Sequence, residues 1–194
     1  KPCMHEGRLA CNLNTNLSDV TIWCLNRDMG FQRTGIENSF LLRNRLFLDH
    51  LGIKAIVLTG DYNTRLQDSI EQLKQEKKLH TSQVCFSVYD IFQDSQNVKR
   101  VHNTGSNLIH SNSGFTCEAV LGTQDFRIRC VHGRLLMYVA RNSADKTLSY
   151  VNHFSHGRKF RRDRYDSRGF LSSIQHLQPQ GGELLSEAYL RPDG

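Results

Sequence analysis

The sequence has little of what marks several classes of protein. Only 3 of its 194 residues are proline and only 14 are glycine, which excludes a proline-rich or collagen-like chain. No run of about 18 apolar residues occurs, so the sequence predicts no membrane-spanning helix. Acidic residues are fewer than basic ones, with 19 Asp+Glu against 25 Lys+Arg, and the formal net charge is +6. With 38% hydrophobic residues, the composition is that of a folded chain of one domain or two small ones.

The cysteines and histidines lack the spacing of a metal site. No C-x-x-C pair occurs and none of the nine histidines belongs to an H-E-x-x-H motif, so we expect no metal and no cofactor. Because the cysteines are scattered, we expect free thiols in the reducing cytoplasm. The six cysteines are Cys3, Cys11, Cys24, Cys85, Cys117 and Cys130.

The first half of the chain alternates strand and helix patterns. Residues 19–25 form a short apolar run rich in β-branched side chains, which we interpret as a buried strand. Helical spacing follows over residues 36–48, Gly52 marks a helix end, and residues 53–59 form a second β-rich run. This order predicts a βαβ unit with parallel strands.

Two further segments complete this half. Residues 64–78 carry apolar side chains at helical spacing and predict an amphipathic helix, whereas residues 84–92 fit a short strand or a short helix equally. A single βαβ unit leaves strand edges uncovered, so the pattern is that of an incomplete sheet. We assign residues 1–95 to a partial Rossmann-like region.

After about residue 98 the pattern changes to short apolar runs separated by turn residues. The runs recur at intervals of roughly 10 to 13 residues, which predicts an antiparallel meander. Turn residues at 132–133, 144–146 and 180–182 are typical of hairpins. The predicted fold class is therefore α/β plus β, with an antiparallel β-sheet domain at 96–194. The predicted strands span residues 115–120, 126–131, 135–140, 148–154, 169–177 and 184–190.

The turn between the first strand and the first helix is the most informative local feature. Gly30 and Gly35 flank this junction, where backbone N–H groups and the positive end of a helix can hold a phosphate. Neither classical nucleotide-binding fingerprint is present, so a tight turn without a ligand is the other interpretation. Glu37, in the first helical turn, either complements the helix dipole or accepts a hydrogen bond at the mouth of a cleft.

Positive charge is densest over residues 158–165, where five of eight residues are basic. This is typical of a surface that binds a phosphate-rich polymer, and equally of an exposed strand protected by charge against aggregation. In a strand, Lys159 and Arg161 would share one face, and Arg162 and Arg164 the other. We expect no nucleic-acid binding, because the sequence has no recognition helix, RNA-binding signature or zinc module.

Two segments resemble, in the same order, parts of bacterial retaining glycosyltransferases of family 4, which have the GT-B fold. The resemblance is to the branch that modifies wall teichoic acids or serine-rich adhesins. The first segment resembles the opening of these enzymes, and the second a signature of the β-rich domain inserted into their first Rossmann-like half. The segments are Gly30-x-x-x-Thr34-Gly35-Ile36-Glu37-Asn38-Ser39-x-x-x-Arg43-x-x-x-Phe47 and Lys159-Phe160-Arg161-Arg162-Asp163-x-Tyr165-Asp166-x-Arg168-Gly169-Phe170-Leu171-Ser172.

The resemblance implies an enzyme in which a UDP-sugar, a substrate and not a cofactor, lies between two Rossmann-like halves. It implies transfer of a hexose or N-acetylhexosamine to a polyol-phosphate teichoic acid or a Ser/Thr-rich glycoprotein. The catalytic Glu, Arg and Lys would lie beyond residue 194, so this chain alone is expected to be inactive. The implied donor-binding residues are Gly30, Thr34, Gly35 and Glu37.

The resemblance also implies a role for the β-sheet domain in acceptor binding or in homo-oligomer assembly. The enzyme would act in the cytoplasm, with peripheral association at the inner face of the membrane. Each exposed cation contributes at most about 1 kcal/mol, so acceptor binding would be multivalent and salt-sensitive. The candidate acceptor-binding residues are Arg158, Lys159, Arg161, Arg162, Arg164 and Arg168.

A second function class stays open from the sequence: a non-enzymatic β-repeat module that binds an anionic polymer. Tyr165, Leu177 and Tyr189 lie 12 residues apart, and a turn residue follows four positions after each. Stacked hairpin repeats have such a period. This interpretation accounts for the second half of the chain but not for the βαβ pattern of the first.

Overall fold

The computed structural model describes residues 20–110 and 114–194, and the free thiols expected at Cys3 and Cys11 lie outside these ranges. The first part contains a three-stranded parallel sheet in the order β1-β2-β3, as the βαβ pattern predicts. Its strands and helices alternate along the chain. They are β1 (Trp23–Asn26), α1 (Gly35–Leu51), β2 (Ile56–Thr59), α2 (Leu66–Gln75), β3 (Cys85–Ser87) and α3 (Val88–Phe92).

Helix α1 is fixed by its ends and by one buried side. Thr34 and Glu37 cap its first turn, and Gly52 ends it in the left-handed conformation at φ 68°, which glycine adopts without strain. Phe40 and Leu41 are buried against the sheet. Because the buried side faces Cys24, Val57 and the buried leucines of α2, both helices pack on one face of the sheet.

The other face of the small sheet corrects the prediction that residues 19–25 form a buried strand. Cys24 is buried, but Trp23 is 55% and Leu25 74% exposed. Strand β1 lies at the edge of the sheet, where alternate side chains point to opposite faces. No helix among the described residues covers the second face, so a continuous apolar run here gives a half-exposed strand.

The segment that the sequence left open, residues 84–92, forms both structures in succession. Cys85–Ser87 pairs with β2 as a parallel strand, and Val88–Phe92 follows directly as a short helix. Ser87 begins this helix: its Oγ accepts from the Asp90 N–H at 3.1 Å, and the Asp90 carboxylate accepts from the Ser87 N–H at 2.9 Å. The capping box therefore joins strand and helix without a loop.

The second part is a seven-stranded antiparallel sheet in which every strand pairs with its neighbours in sequence. The meander predicted from the spacing is confirmed, and residues 158–165 supply a strand of their own. A short helix, α4 (Asn107–His110), precedes the sheet. The strands are β4 (Phe115–Ala119), β5 (Phe126–Cys130), β6 (Leu135–Arg141), β7 (Leu148–Ser155), β8 (Arg158–Tyr165), β9 (Leu171–Leu177) and β10 (Leu184–Tyr189).

The two faces of this sheet differ in chemistry. One face carries the buried core of Phe126, Ile128, Val139 and Val151, against which Leu108 packs. The opposite face is polar and aromatic and carries arginines and tyrosines. Within the described ranges, no helix is both long and apolar enough to cross a membrane.

A buried ionic junction joins the two parts. Arg168, in the loop between β8 and β9, binds Asp90 of α3 and Asp166, each at 2.7 Å. Beside it, the rings of Tyr62 and Tyr189 lie 4.8 Å apart, centroid to centroid. The polar sheet face is thereby held against the first part of the chain.

Candidate functional site

A cavity of about 370 Å³ opens where β1 ends and α1 begins. In parallel α/β sheets, ligands bind outside the carboxyl ends of the strands, where helix N-termini present free N–H groups. This cavity has that position. It is lined by Leu25, Asn26, Gly35, Ile36, Ser39, Phe40 and Arg43.

Gly35 leaves the backbone of the helix start accessible from this cavity. A Cβ added at Gly35 would meet no atom within 4 Å, and the backbone there does not require glycine. The absence of a side chain at Gly35 therefore affects which ligands can approach the start of α1, and it does not affect the fold. Arg43, which is exposed on the same helix, provides a cation on the cavity wall.

Thr34 and Glu37 lie beside the cavity and interact with each other. The Glu37 carboxylate accepts the Thr34 backbone N–H at 2.5 Å and also binds the Thr34 hydroxyl. These hydrogen bonds hold the pKa of Glu37 below its usual range. Glu37 thus completes the start of α1, which is the structural interpretation that the sequence allowed.

The structure separates Gly30 from Gly35. Gly30 does not line the cavity, and a Cβ there would lie 3.0 Å from Asp28 Oδ2. Asp28 in turn accepts from the Met29 N–H at 2.8 Å and from Asn63 at 2.9 Å. Gly30 therefore belongs to a packed turn between β1 and α1.

Asn26 and Ser39 line the cavity but were not singled out in the sequence. Asn26 is the last residue of β1, and the carboxyl-end rule for parallel sheets could have identified it. The Ser39 hydroxyl donates to the Gly35 carbonyl at 2.8 Å. Its place one turn into α1 puts it on the side of Gly35, a relation that follows from helical periodicity.

The basic residues of β8 divide between the two faces of the sheet. Arg161 donates to Asp163 at 2.5 and 3.0 Å, and His153 lies 2.9 Å from the same carboxylate. Burial raises the pKa of Asp163, but the hydrogen bonds from His153 and Arg161 outweigh it, and the net pKa is lowered. Arg161 is therefore occupied by an internal ion pair, whereas Arg158 is exposed at the start of the strand.

Arg162 and Arg164 lie together on the polar face. Arg162 Nε donates to Asn152 Oδ1 at 2.8 Å, and the guanidinium of Arg162 stacks on Tyr150. Arg164 donates to Glu187 at 3.1 Å and stacks on Tyr62. A cavity of about 450 Å³ lies between them and the first part of the chain, lined by Thr64, Ser149, Tyr150, Arg162, Arg164 and Gln175.

Arg168 does not lie on the surface that the other basic residues form. It is 7% exposed, and it donates to the Ser95 carbonyl at 2.5 Å in addition to its two carboxylate partners. Burial alone would lower the pKa of Arg168, but both carboxylates raise it, and it stays charged. We therefore remove Arg168 from the candidate acceptor surface.

The described residues offer no metal site of three or more His, Cys, Asp or Glu side chains. Cys24, Cys85, Cys117 and Cys130 carry free thiols. Burial raises the pKa of the Cys85 thiol to about 12, which makes this side chain unreactive.

The fold is shared with several solved structures of much longer chains. No protein-family model and no curated protein matches the sequence. The Glycosylation Associate Protein (Gap123) complex from Streptococcus agalactiae matches with 20% identity and a TM-score of 0.64, over 80% of this chain and 28% of that one. The pneumococcal O-GlcNAc transferase GtfA, solved with UDP and GlcNAc, matches with 16% identity and a TM-score of 0.64, over 90% and 34%.

A third match was also solved with UDP. A TarM variant from S. aureus, solved with fondaparinux, α-GlcNAc-glycerol and UDP, has 14% identity and a TM-score of 0.57, over 88% of this chain and 39% of that one. This chain thus spans between 28% and 39% of the length of these three matched chains. At these identities the comparisons establish the α/β-plus-β fold of this chain.

Proposed function

We propose that this chain forms the donor-facing wall of a UDP-sugar-dependent retaining glycosyltransferase with the GT-B fold. The observation that carries the proposal is the cavity at the start of α1, on a fold shared with a transferase solved with UDP and GlcNAc. The wall would be made by residues 1–95 and the accessory sheet by residues 96–194. The catalytic Glu, Arg and Lys would come from a second Rossmann-like half.

The chemistry of the cavity suits the diphosphate of a UDP-sugar. The exposed N–H groups of the first turn of α1 and the Arg43 guanidinium both favour negative charge. Gly35 permits close approach, and Asn26 and Ser39 offer hydrogen bonds to sugar hydroxyls. Among the residues predicted for the donor, Gly35 has the central role, and Thr34, Glu37 and Gly30 shape the turn around it.

The acceptor would bind along the polar face and the exposed end of β8. We expect a polyol-phosphate or a glycoprotein acceptor. One neighbour was solved with α-GlcNAc-glycerol, and another is a glycosylation-associated protein complex. Arg158, Lys159, Arg162 and Arg164 would supply the positive charge. We further propose a cytoplasmic enzyme at the inner face of the membrane that associates through its β-sheet domain.

Substitution of Gly35 by alanine tests the donor wall. Because the added methyl group would meet no protein atom within 4 Å, we expect no loss of folding stability. The methyl group would obstruct approach to the helix N–H groups, and affinity for UDP-GlcNAc should fall about tenfold. Amide chemical shifts of Asn26, Gly35 and Ser39 at millimolar nucleotide measure the binding.

Gly114→Ala is the matched control, because a Cβ at Gly114 also meets nothing and the residue lies in the other part of the chain. It should bind UDP-GlcNAc as the unsubstituted chain does. If the folded chain gives no shifts around Gly35, or if both variants bind alike, the donor wall is wrong. The non-enzymatic β-repeat module would give the first of these results, because it has no donor site at Gly35.

A further inference from the structure

We propose that the cavity between Arg162, Arg164 and Thr64, here called the β8 cavity, is a subsite for one phosphodiester group of an extended polyol-phosphate chain. The inference rests on the proposed acceptor role of the polar sheet face and deepens it. It narrows a basic segment of eight residues to one place, and it selects Arg162 as the cation that contacts the phosphate.

Of the two arginines that line the cavity, Arg164 pairs with Glu187, whereas Arg162 has no carboxylate partner among the described residues. Its only hydrogen-bonding partner among the described residues is the neutral amide oxygen of Asn152, which accepts from Nε at 2.8 Å. The N–H groups of its two terminal nitrogens can therefore donate to a ligand. A guanidinium binds a tetrahedral oxyanion through two such bonds, which makes phosphate the best-fitting group.

The guanidinium is also held in place before any ligand arrives. Its Cζ lies 4.9 Å from the centroid of the Tyr150 ring, and the bond to Asn152 fixes the other end of the plane. Ligand binding therefore loses less side-chain entropy than it would at a free surface arginine. Tyr150 itself stacks with Tyr138, and their ring centroids lie 6.5 Å apart.

Arg164, the other cation of the cavity lining, is neutralised by Glu187. Glu187 accepts from Arg164 at 3.1 Å, from Ser173 at 2.7 Å and from Gln175 at 3.1 Å. Burial raises the pKa of Glu187, yet these bonds outweigh it and lower the net pKa, so the carboxylate stays ionised. Because Glu187 neutralises Arg164, Arg162 is the unpaired positive charge among the residues that line the cavity.

Lys159 adds to this field. Burial and the positive charge of Arg162 both lower the pKa of Lys159. A bound phosphate would relieve this repulsion. Two cations that repel each other across a polar surface are a common arrangement for an anion.

The remaining lining supplies neutral hydrogen-bonding groups. Thr64, Ser149 and Gln175 surround a volume of about 450 Å³, which exceeds what one phosphate needs and leaves room for the polyol on either side. Hydroxyl and amide side chains suit polyol hydroxyls, and the paired rings of Tyr138 and Tyr150 offer an apolar surface beside them. An extended chain fits this lining better than a free ion does.

The test uses a short synthetic glycerol-phosphate oligomer as the probe, titrated into the folded chain and followed by isothermal titration calorimetry. We expect Arg162→Gln to weaken binding about tenfold or more, because a charge-assisted pair of hydrogen bonds is lost. Arg162→Lys keeps the charge but loses the paired N–H donors of the guanidinium. Its affinity should lie between that of the unsubstituted chain and that of Arg162→Gln. Arg134→Gln, which removes an exposed charge from a distant hairpin of the same sheet, is the matched control and should bind normally.

The outcomes separate the possible ligands. Equal losses in Arg162→Gln and Arg134→Gln would mean a nonspecific charge effect and would overturn the subsite, as would binding of inorganic phosphate as tightly as the oligomer. Tighter binding of a neutral glucose oligomer would also overturn it. If Arg162→Gln fails to fold, Ser149→Asp places a competing carboxylate in the cavity and must give the same loss. The donor titration at Gly35 does not depend on this cavity, so the subsite can fail while the proposed function stands.

Discussion

Arg168→Ala is expected to lower the free energy of unfolding by about 3 to 5 kcal/mol, a large part of the stability of a chain of this size. Arg168 is buried and binds Asp90 at 2.7 Å and Asp166 at 2.7 Å. Removal of the guanidinium leaves two buried carboxylates near each other without a cation. Urea denaturation at neutral pH measures the loss.

The same variant has a pH dependence of known sign. In the intact protein, burial raises the pKa of Asp166 although Arg168 opposes it. Without Arg168, the pKa of Asp166 rises further, and protonation removes the unpaired charge. The variant should therefore recover part of the lost stability as the pH falls from neutral towards 4. Arg158→Ala, at an exposed site on the adjacent strand, should change stability by no more than about 0.5 kcal/mol.

A loss below about 1 kcal/mol in Arg168→Ala would contradict a buried ionic junction. So would equal losses at neutral and acidic pH, since a merely steric role for the side chain has no such dependence. The first result would place Arg168 on the exposed basic surface of the sheet, and the second would give its side chain a packing role without a buried ion pair.

Gly169→Ala is expected to cost about 3 kcal/mol or more, for a reason of shape and not of charge. Gly169 has φ 98°, and a Cβ there would lie 2.1 Å from the Val101 carbonyl oxygen. That backbone cannot move away easily, because the Val101 N–H donates to the Arg168 carbonyl at 2.8 Å and Asn103 donates to the Gly169 carbonyl at 2.9 Å. The melting temperature and urea midpoint measure the loss.

Gly157→Ala separates backbone strain from steric conflict. Gly157 has φ 76° in the turn between β7 and β8, but a Cβ there would meet nothing within 4 Å. It should cost about 1 kcal/mol, which is the strain of a non-glycine residue in the left-handed region. Equal losses in the two variants would show that residues 101 and 169 do not approach as closely as described.

Arg168 and Gly169 matter to function because the loop that contains them holds the sheet against the α/β part. Thr64, which lines the β8 cavity, accepts the Ser167 N–H at its carbonyl at 2.8 Å. The loop that contains Arg168 and Gly169 thus sets the distance across that cavity. Variants that loosen the loop should weaken polymer binding even though they leave Arg162 in place.

The order of the elements could be predicted because hydrophobic periodicity is local. The turn at 132–133, for example, has Gly133 at φ 75°, as a hairpin requires, and the strands on both sides pair as predicted. The 12-residue spacing also has a local cause, since Tyr165, Leu177 and Tyr189 are the last residues of β8, β9 and β10. The 12-residue spacing is therefore the combined length of one strand and its turn.

Burial could not be predicted where it depends on contacts far along the chain. Arg164 and Arg168 lie in one basic segment, yet Arg168 is buried because Asp90, 78 residues away, supplies a carboxylate. Leu25 is exposed because no described element covers its face of β1, which an apolar run cannot reveal. Glu37 was given two roles, and only the structure shows that Thr34 occupies its carboxylate.

The central claim is that a sugar nucleotide lies against the start of α1. Intermolecular NOEs between bound UDP-GlcNAc and methyl-labelled protein test it directly, because Leu25 and Ile36 both have exposed side chains that line this cavity. The account predicts NOEs from the nucleotide sugar to these two methyl-bearing residues and their loss in Gly35→Ala. NOEs to methyl groups elsewhere, or none at all in a folded chain at millimolar nucleotide, would contradict it.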